Sequence, residues 1–80
     1  MMSLLVRNLP PGWNDHEVGR LFGVFGQVAR IAFVFDRAGS NARCAFVDMT
    51  RTRDAARAVK SLNGRRFARH QLMIENYAPY

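Results

Sequence analysis

The residues that could act in acid–base or covalent chemistry are few and scattered. His16 falls at the start of a predicted helix and His70 in a late loop, and neither has a carboxylate and a nucleophile as evident partners. An adjacent arginine would lower the pKa of Cys44, although a cysteine in a strand more often serves as a small apolar residue. Asp15 and Glu17 are two positions apart on a helix, where side chains do not face each other. We therefore expect no enzymatic activity, no cofactor and no metal site.

Side chains suited to binding are more plentiful, because the chain is strongly basic. Its 80 residues carry a net charge of +6, with eleven arginines and a single lysine. Basic domains commonly bind nucleic acid because neutralising phosphates releases counterions. Arginine also forms bidentate phosphate contacts and stacks on planar groups. A solvated basic surface, or a coding bias that favours arginine over lysine, would give the same composition.

The segment from Ala42 to Met49 contains the most informative pattern. It resembles the octamer of the RNA recognition motif (RRM), which reads K/R-G-F/Y-G/A-F-V-x-F/Y. Ala45, Phe46 and Val47 fit this pattern, whereas Cys44 stands where the family has a stacking aromatic. The positions that depart from the octamer are Ala42, Arg43, Cys44 and Met49.

Other segments resemble the same family in the expected order. Residues 4–9 are similar to its hexamer, with Leu5 in place of the usual aromatic, residues 14–26 to its first helix and residues 55–64 to its second helix and exit. The resemblance covers roughly residues 3–78. It implies a ferredoxin-like βαββαβ sandwich, in which a four-stranded antiparallel sheet carries two helices on one face and leaves the other open.

Local patterns predict the same elements. Asn14, with Glu17 three residues later, is a capping-box pattern that begins a helix, and Gly26 would end it. Thr50 or Thr52 would cap a second helix that runs to about residue 62. The predicted strands are Ser3–Asn8, Val28–Phe35, Ala42–Met49 and Leu72–Asn76.

Period-two alternation predicts which side chains lie on the open face. Ala45, Val47 and Met49 would point to the helices, so Phe46 would point away from them. The family holds bases by stacking them on sheet aromatics, and Tyr77 and Tyr80, after the last predicted strand, could replace the lost platform. We predict RNA contacts by Leu5, Arg7, Arg30, Arg43, Cys44, Phe46, Met73 and Tyr77.

A second basic surface is predicted on the second helix and the following loop, away from the open face. It contains seven basic residues, with Asp54 as its only acid. A solvated helix face is the plainer interpretation, and a surface for RNA phosphates or an acidic protein is the functional one. Its members are Arg51, Arg53, Arg57, Lys60, Arg65, Arg66 and Arg69.

An alternative interpretation comes from Arg65-Arg66-Phe67. This triplet resembles the Arg-x-Phe signature of splicing-factor homology domains, which are RRMs that bind a tryptophan-bearing peptide beside the helices instead of RNA. The resemblance implies that Phe67 stacks on the peptide and that Arg65 pairs with Asp15 or Glu17. Ordinary RRMs often carry an apolar residue here that packs into the core, and we therefore expect Phe67 to be fully enclosed.

Length and composition limit the remaining possibilities. Eighty residues suit one small domain, and the chain stops just after the last predicted strand, which suggests a domain cut from a longer protein. One cysteine fits a reducing intracellular compartment, whether nucleus, cytoplasm or organelle, and no apolar run approaches the ~20 residues of a membrane span. We expect binding of single-stranded RNA in RNA processing, with a protein-binding RRM as the alternative. Self-association is open to the apolar sheet residues Leu5, Val34, Cys44 and Met73.

Overall fold

The chain forms a four-stranded antiparallel sheet with two helices packed on one face. The computed structural model describes residues 1–39 and 41–77, with Asn41 and Ala42 described as backbone only. The sheet order is β2-β3-β1-β6, and the predicted ferredoxin-like fold is confirmed. Within the described residues neither helix is long and apolar enough to cross a membrane. The elements are β1 (Met2–Arg7), α1 (Asp15–Gly23), β2 (Val28–Phe35), β3 (Asn41–Met49), α2 (Thr52–Leu62), β4 (Arg66–Phe67), β5 (His70–Gln71) and β6 (Met73–Tyr77).

The core lies between the sheet and the helices and follows the predicted alternation. Leu4 and Val6 on β1 are fully buried, and Ile31 and Phe33 on β2 are partly buried against the same cluster. Alternate residues of a strand point to opposite faces, so the intervening side chains lie on the open face. The other buried members are Leu9, Val18, Phe22, Ala45, Val47, Met49, Ala55, Ala58, Leu62, Leu72 and Ile74.

The first helix begins with the predicted capping box. The Asn14 side chain accepts hydrogen bonds from the backbone N–H groups of His16 and Glu17, at 2.9 and 3.4 Å. The Asn14 N–H donates to Glu17 Oε1 at 2.7 Å, and this hydrogen bond lowers the pKa of Glu17. The exchange satisfies donors that a helix start leaves unpaired.

The second helix begins without a side-chain cap, so the predicted threonine cap was wrong. The N-cap residue is Arg51, and Thr52 is already the first helical residue. Thr50 lies just after β3, and its N–H donates to the carbonyl of Gln27, just before β2, at 3.1 Å.

Gly26 does not end α1, in contrast to the prediction. The helix ends at Gly23, and its C-cap is Val24 in the right-handed helical region. A Cβ atom on Gly26 would overlap the Asp54 side chain and lie 2.7 Å from the Asp54 Cβ. Glycine is needed here because the first turn of α2 approaches the backbone closely.

Two glycine substitutions test this close approach. Gly26→Ala should lower the free energy of unfolding by about 1–3 kcal/mol, since overpacking forces neighbouring groups to shift. Gly23→Ala is the matched control, because no heavy atom lies within 4 Å of its added Cβ. It should raise stability by up to about 0.5–1 kcal/mol, through the better helix propensity of alanine. Urea denaturation measures the stability of both variants. Equal effects on the free energy of unfolding would contradict the close approach of Asp54 to Gly26.

A short hairpin that the sequence did not predict precedes the last strand. Strands β4 and β5 pair Phe67 with His70, and the two turn residues, Ala68 and Arg69, have φ values of 49° and 67°. Positive φ at both central residues is typical of a type I′ turn. The Asn63 side chain accepts from the Ile74 N–H at 2.8 Å and ties the exit of α2 to β6. The last strand extends to residue 77, one position beyond the prediction.

Candidate nucleic-acid interface

Two aromatic side chains meet on the open face of the sheet. Phe46 on β3 is partly buried, and Tyr77 at the end of β6 is 39% exposed. Their ring centroids are 4.8 Å apart, with an angle of 60° between the ring planes. Tyr77 therefore joins the sheet platform as part of a strand, whereas the sequence had suggested a position after it. Tyr80 lies outside the described residues.

The apolar neighbours of this pair lie where alternation predicted. Leu5 pairs with Phe46 across β1 and β3 and with Glu75 across β1 and β6. Cys44 is partly buried, and this burial raises the pKa of its thiol, while the positive charge of Arg7 has a smaller effect in the opposite direction. The suggestion of an activated thiolate was wrong, because desolvation outweighs the cation. Met73 is 52% exposed.

The arginines of the open face are engaged by carboxylates. Arg7 forms a salt bridge with Glu75, and the Arg30 Nε atom lies 3.5 Å from the Asp48 Oδ2 atom. Asp48 also accepts a hydrogen bond from the Ser3 hydroxyl at 2.6 Å. The sequence pattern had identified the cations without their partners. Because each charge is matched, this face attracts phosphates less than its arginines alone suggest.

Arg43 adopts a backbone conformation that suits glycine. Its φ is 56°, in the left-handed region, and its carbonyl accepts from the Leu9 N–H at 2.9 Å. The residue sits where the β2–β3 register shifts, and it lines a cleft of about 330 Å³ together with Trp13 and Phe33. The RRM octamer has glycine at this position. Arg43 therefore lies at the loop end of β3 and does not line the cleft around Phe46.

Replacing Arg43 tests the backbone strain. The left-handed conformation destabilises the folded state by about 1–2 kcal/mol for a residue with a Cβ. Glycine removes this strain, but it also increases the conformational freedom of the unfolded chain, which offsets part of the gain. Arg43→Gly should therefore raise the free energy of unfolding by about 0.5–1 kcal/mol. Arg43→Ala removes the same side chain but keeps the Cβ, so it should not stabilise. Thermal and urea denaturation compare the two, and equal stabilities would exclude strain.

The net charge of the domain is concentrated away from the sheet. Residues 51–69 contain seven basic side chains and one acid, which accounts for the whole +6; the five remaining arginines are matched by five acids. Arg53, Arg57 and Lys60 are spaced four and three apart, so they share one stripe of α2, opposite its buried alanines. Arg57 is partly engaged, by Asp54 at 3.7 Å and by the Phe25 carbonyl at 3.5 Å. All seven basic residues of this segment are exposed: Arg51, Arg53, Arg57, Lys60, Arg65, Arg66 and Arg69.

Phe67 is partly buried, so the prediction of a fully enclosed ring was wrong. Its ring packs against Trp13, with centroids 5.6 Å apart, and the Arg65 guanidinium carbon lies 5.5 Å from its centroid. The two aromatics line a groove of about 360 Å³ beside α1. Among the described residues no ion pair joins Arg65 to Asp15 or Glu17. The chain's own indole thus occupies one side of the ring.

Three comparisons with known proteins agree with this architecture. A family model of the RNA recognition motif matches residues 4–73. The chain belongs to the RNA recognition motif family. It is 34% identical over 65 residues, 81% of its length, to polyadenylate-binding protein 2 of Arabidopsis thaliana. It is also 33% identical over 73 residues, 91% of its length, to one of the subunits of eukaryotic translation initiation factor 3 from Dictyostelium discoideum.

A solved relative matches almost the whole RRM. The Sxl-lethal protein/RNA complex has a TM-score of 0.89 and 32% identity, covering 98% of this chain and 47% of that one. The chain spans 10% of the polyadenylate-binding protein and 31% of the initiation-factor subunit.

Two residues that sequence reasoning did not select have prominent positions. Asp48 is the carboxylate enclosed between the Ser3 hydroxyl and Arg30 on the open face. Asp48 is two residues after Phe46 on β3, so strand alternation was enough to place both side chains on the open face. Trp13 lines both the cleft beside Arg43 and the groove beside α1, and no pattern in the sequence indicated this. Within the described part of the chain, no cluster of three or more His, Cys, Asp or Glu residues could hold a metal ion.

Proposed function

We propose that this RRM binds single-stranded RNA on the open face of its sheet and acts in RNA processing or translation. The observation that carries the proposal is the Phe46–Tyr77 pair on that face. Stacking of one base on an aromatic side chain contributes about 1–3 kcal/mol. The similarity to polyadenylate-binding proteins, to an initiation-factor subunit and to a protein in complex with RNA supports it.

The proposal includes a second contribution from the basic surface on α2 and the β4–β5 hairpin. Since the open face is close to charge-balanced, phosphate neutralisation there would be limited. The seven basic residues of the other surface would supply the long-range attraction and part of the salt-dependent affinity. The two surfaces would thus contribute stacking and counterion release separately.

Substitution of the aromatic platform tests the first part. Phe46→Ala should weaken binding of a single-stranded RNA by about 1–3 kcal/mol, because one stacking surface is lost. Phe35→Ala is the matched control, since Phe35 is 59% exposed at the far end of β2. In the opposite direction, Cys44→Phe or Leu5→Phe should tighten binding. Fluorescence anisotropy with labelled homopolymers measures all four, and affinities independent of the platform would show that RNA uses another surface.

A peptide-binding role is the second candidate, and the groove beside α1 favours it. Phe67 lines this groove with one part of its ring accessible, and the Arg65 guanidinium lies over that ring. A tryptophan-bearing peptide would need to displace or extend the contact between Trp13 and Phe67. Among the described residues Arg65 forms no ion pair with Asp15 or Glu17, and this counts against a preformed peptide site.

Charge reversal and removal of Phe67 separate the two candidates. Arg53→Glu is preferred to a change at Arg57, whose guanidinium contacts Asp54 and the Phe25 carbonyl. If the domain binds RNA, Arg53→Glu should weaken RNA binding. The slope of log affinity against log salt concentration should become less steep by about 0.7 for each phosphate contact that is lost. Arg20→Glu on α1 carries the same change in net charge and should leave the slope nearly unchanged.

The peptide arm uses the same proteins. Phe67→Ala should abolish capture of a basic tryptophan-containing peptide if the groove is the binding site, as expected for an anchor residue. Under the RNA proposal the wild-type domain binds this peptide no better than the Phe67→Ala variant. Tight, Phe67-dependent peptide capture together with salt-insensitive RNA binding would reverse the order of the two candidates.

A further inference from the structure

A polar row crosses all four strands at one end of the open face. Arg30 on β2 pairs with Asp48 on β3, Asp48 with Ser3 on β1, and Ser3 with Tyr77 on β6. Side chains in such a row stand about 5 Å apart on one face of a sheet. Together with Phe46 they line a cleft of about 250 Å³, which has room for one planar base. A cation, a carboxylate, a hydroxyl and two aromatic rings therefore converge at one place.

The Asp48 carboxylate is held in a defined position. Its side chain is only 14% exposed, Oδ1 accepts from the Ser3 hydroxyl at 2.6 Å, and Oδ2 lies 3.5 Å from the Arg30 Nε. A carboxylate offers about four lone-pair sites. These two contacts leave acceptor capacity on both oxygens. The cleft therefore presents an oriented acceptor pair beside an arginine donor.

The aromatic rings would bring a base edge to this acceptor. Phe46 is two residues from Asp48 on β3 and on the same face, which separates them by about 7 Å along the strand. That is close to the distance from the centre of a stacked base to the groups bonded at its edge. A base stacked on Phe46 or Tyr77 can thus direct its Watson–Crick edge at Asp48.

We infer that this cleft is a base-reading subsite that selects guanine, with Asp48 as the specificity-determining residue. Guanine has two adjacent donors, N1–H and N2–H₂, for the two carboxylate oxygens, and its O6 accepts from Arg30. Adenine and cytosine offer one donor group each on this edge. Uracil offers a single N–H between two carbonyl oxygens, which the carboxylate repels. The inference rests on the proposed RNA binding and adds the base class.

Oligonucleotides that differ at one position test the assignment. A short oligouridine with one central guanine should bind about 5- to 150-fold more tightly than the same RNA with uracil there, the range for one bidentate contact. Inosine lacks the N2 amino group and should fall between the two. Fluorescence anisotropy at constant salt gives the affinities of the guanine, inosine and uracil RNAs, from which the ratios are calculated. The inosine measurement needs only the wild-type domain.

Two carboxylate variants identify the residue responsible. Asp48→Asn keeps the shape but replaces one acceptor with a donor, so the ratio for guanine over uracil should fall to within about twofold, far below one bidentate contact. Glu75→Gln is the matched control, because it makes the same charge change on the same face, also beside an arginine, and it should keep the ratio. Comparing ratios removes the uniform gain that a less acidic protein shows for every RNA.

The outcomes separate this inference from the proposed function. Phe46-dependent RNA binding without a guanine preference, or with an adenine preference, would overturn the subsite and leave RNA binding intact. An equal loss of preference in Glu75→Gln would also exclude Asp48 as the reader. Failure of the wild-type domain to bind any of these RNAs would overturn both.

Discussion

The pairing register of β1 with β3 is the constraint on which the rest of the structure depends. These are the two central strands, and their partners are Leu4 with Val47 and Leu5 with Phe46. Leu4 and Val47 are fully buried, while Leu5 and Phe46 lie on the open face. A shift of one residue would exchange the two faces of a strand, so burial of the apolar set specifies the register strongly. The Phe46–Tyr77 pair on the open face follows from this register together with the register of β1 with β6, and the two ion pairs follow from the β1–β6 and β2–β3 registers.

The surface of the domain separates two sources of binding energy. The open sheet carries aromatic rings and arginines that already have carboxylate partners. Residues 51–69, which include α2 and β4, carry the entire net charge. A charge-balanced face suits base stacking and hydrogen bonding at short range, whereas a concentrated positive face acts on phosphates at longer range.

The departures from the RRM octamer have different structural consequences. Arg43 keeps the left-handed backbone that glycine would adopt without strain, so the bend in β3 persists at a cost in free energy. Cys44 and Leu5 remove stacking surface, and both are partly buried apolar groups in the structure. Tyr77 supplies a second ring next to Phe46 from the edge strand β6. The platform has therefore moved towards β6.

The sequence by itself determined the features that depend on neighbouring residues along the chain. Alternation predicted the faces of the strands, the capping box predicted the start of α1, and the order of motifs predicted the fold. The tertiary structure alone decided the contacts between distant residues. Ser3 and Asp48 are 45 positions apart and Arg7 and Glu75 are 68 apart, so local patterns contain no signal for these pairs.

The same reason explains the predictions that were wrong. Gly26 is required by the approach of α2 and not by the end of α1, and Phe67 packs against Trp13 at a surface groove and is not fully enclosed in the core. Both depend on how elements pack after they form, which periodicity along the chain does not encode.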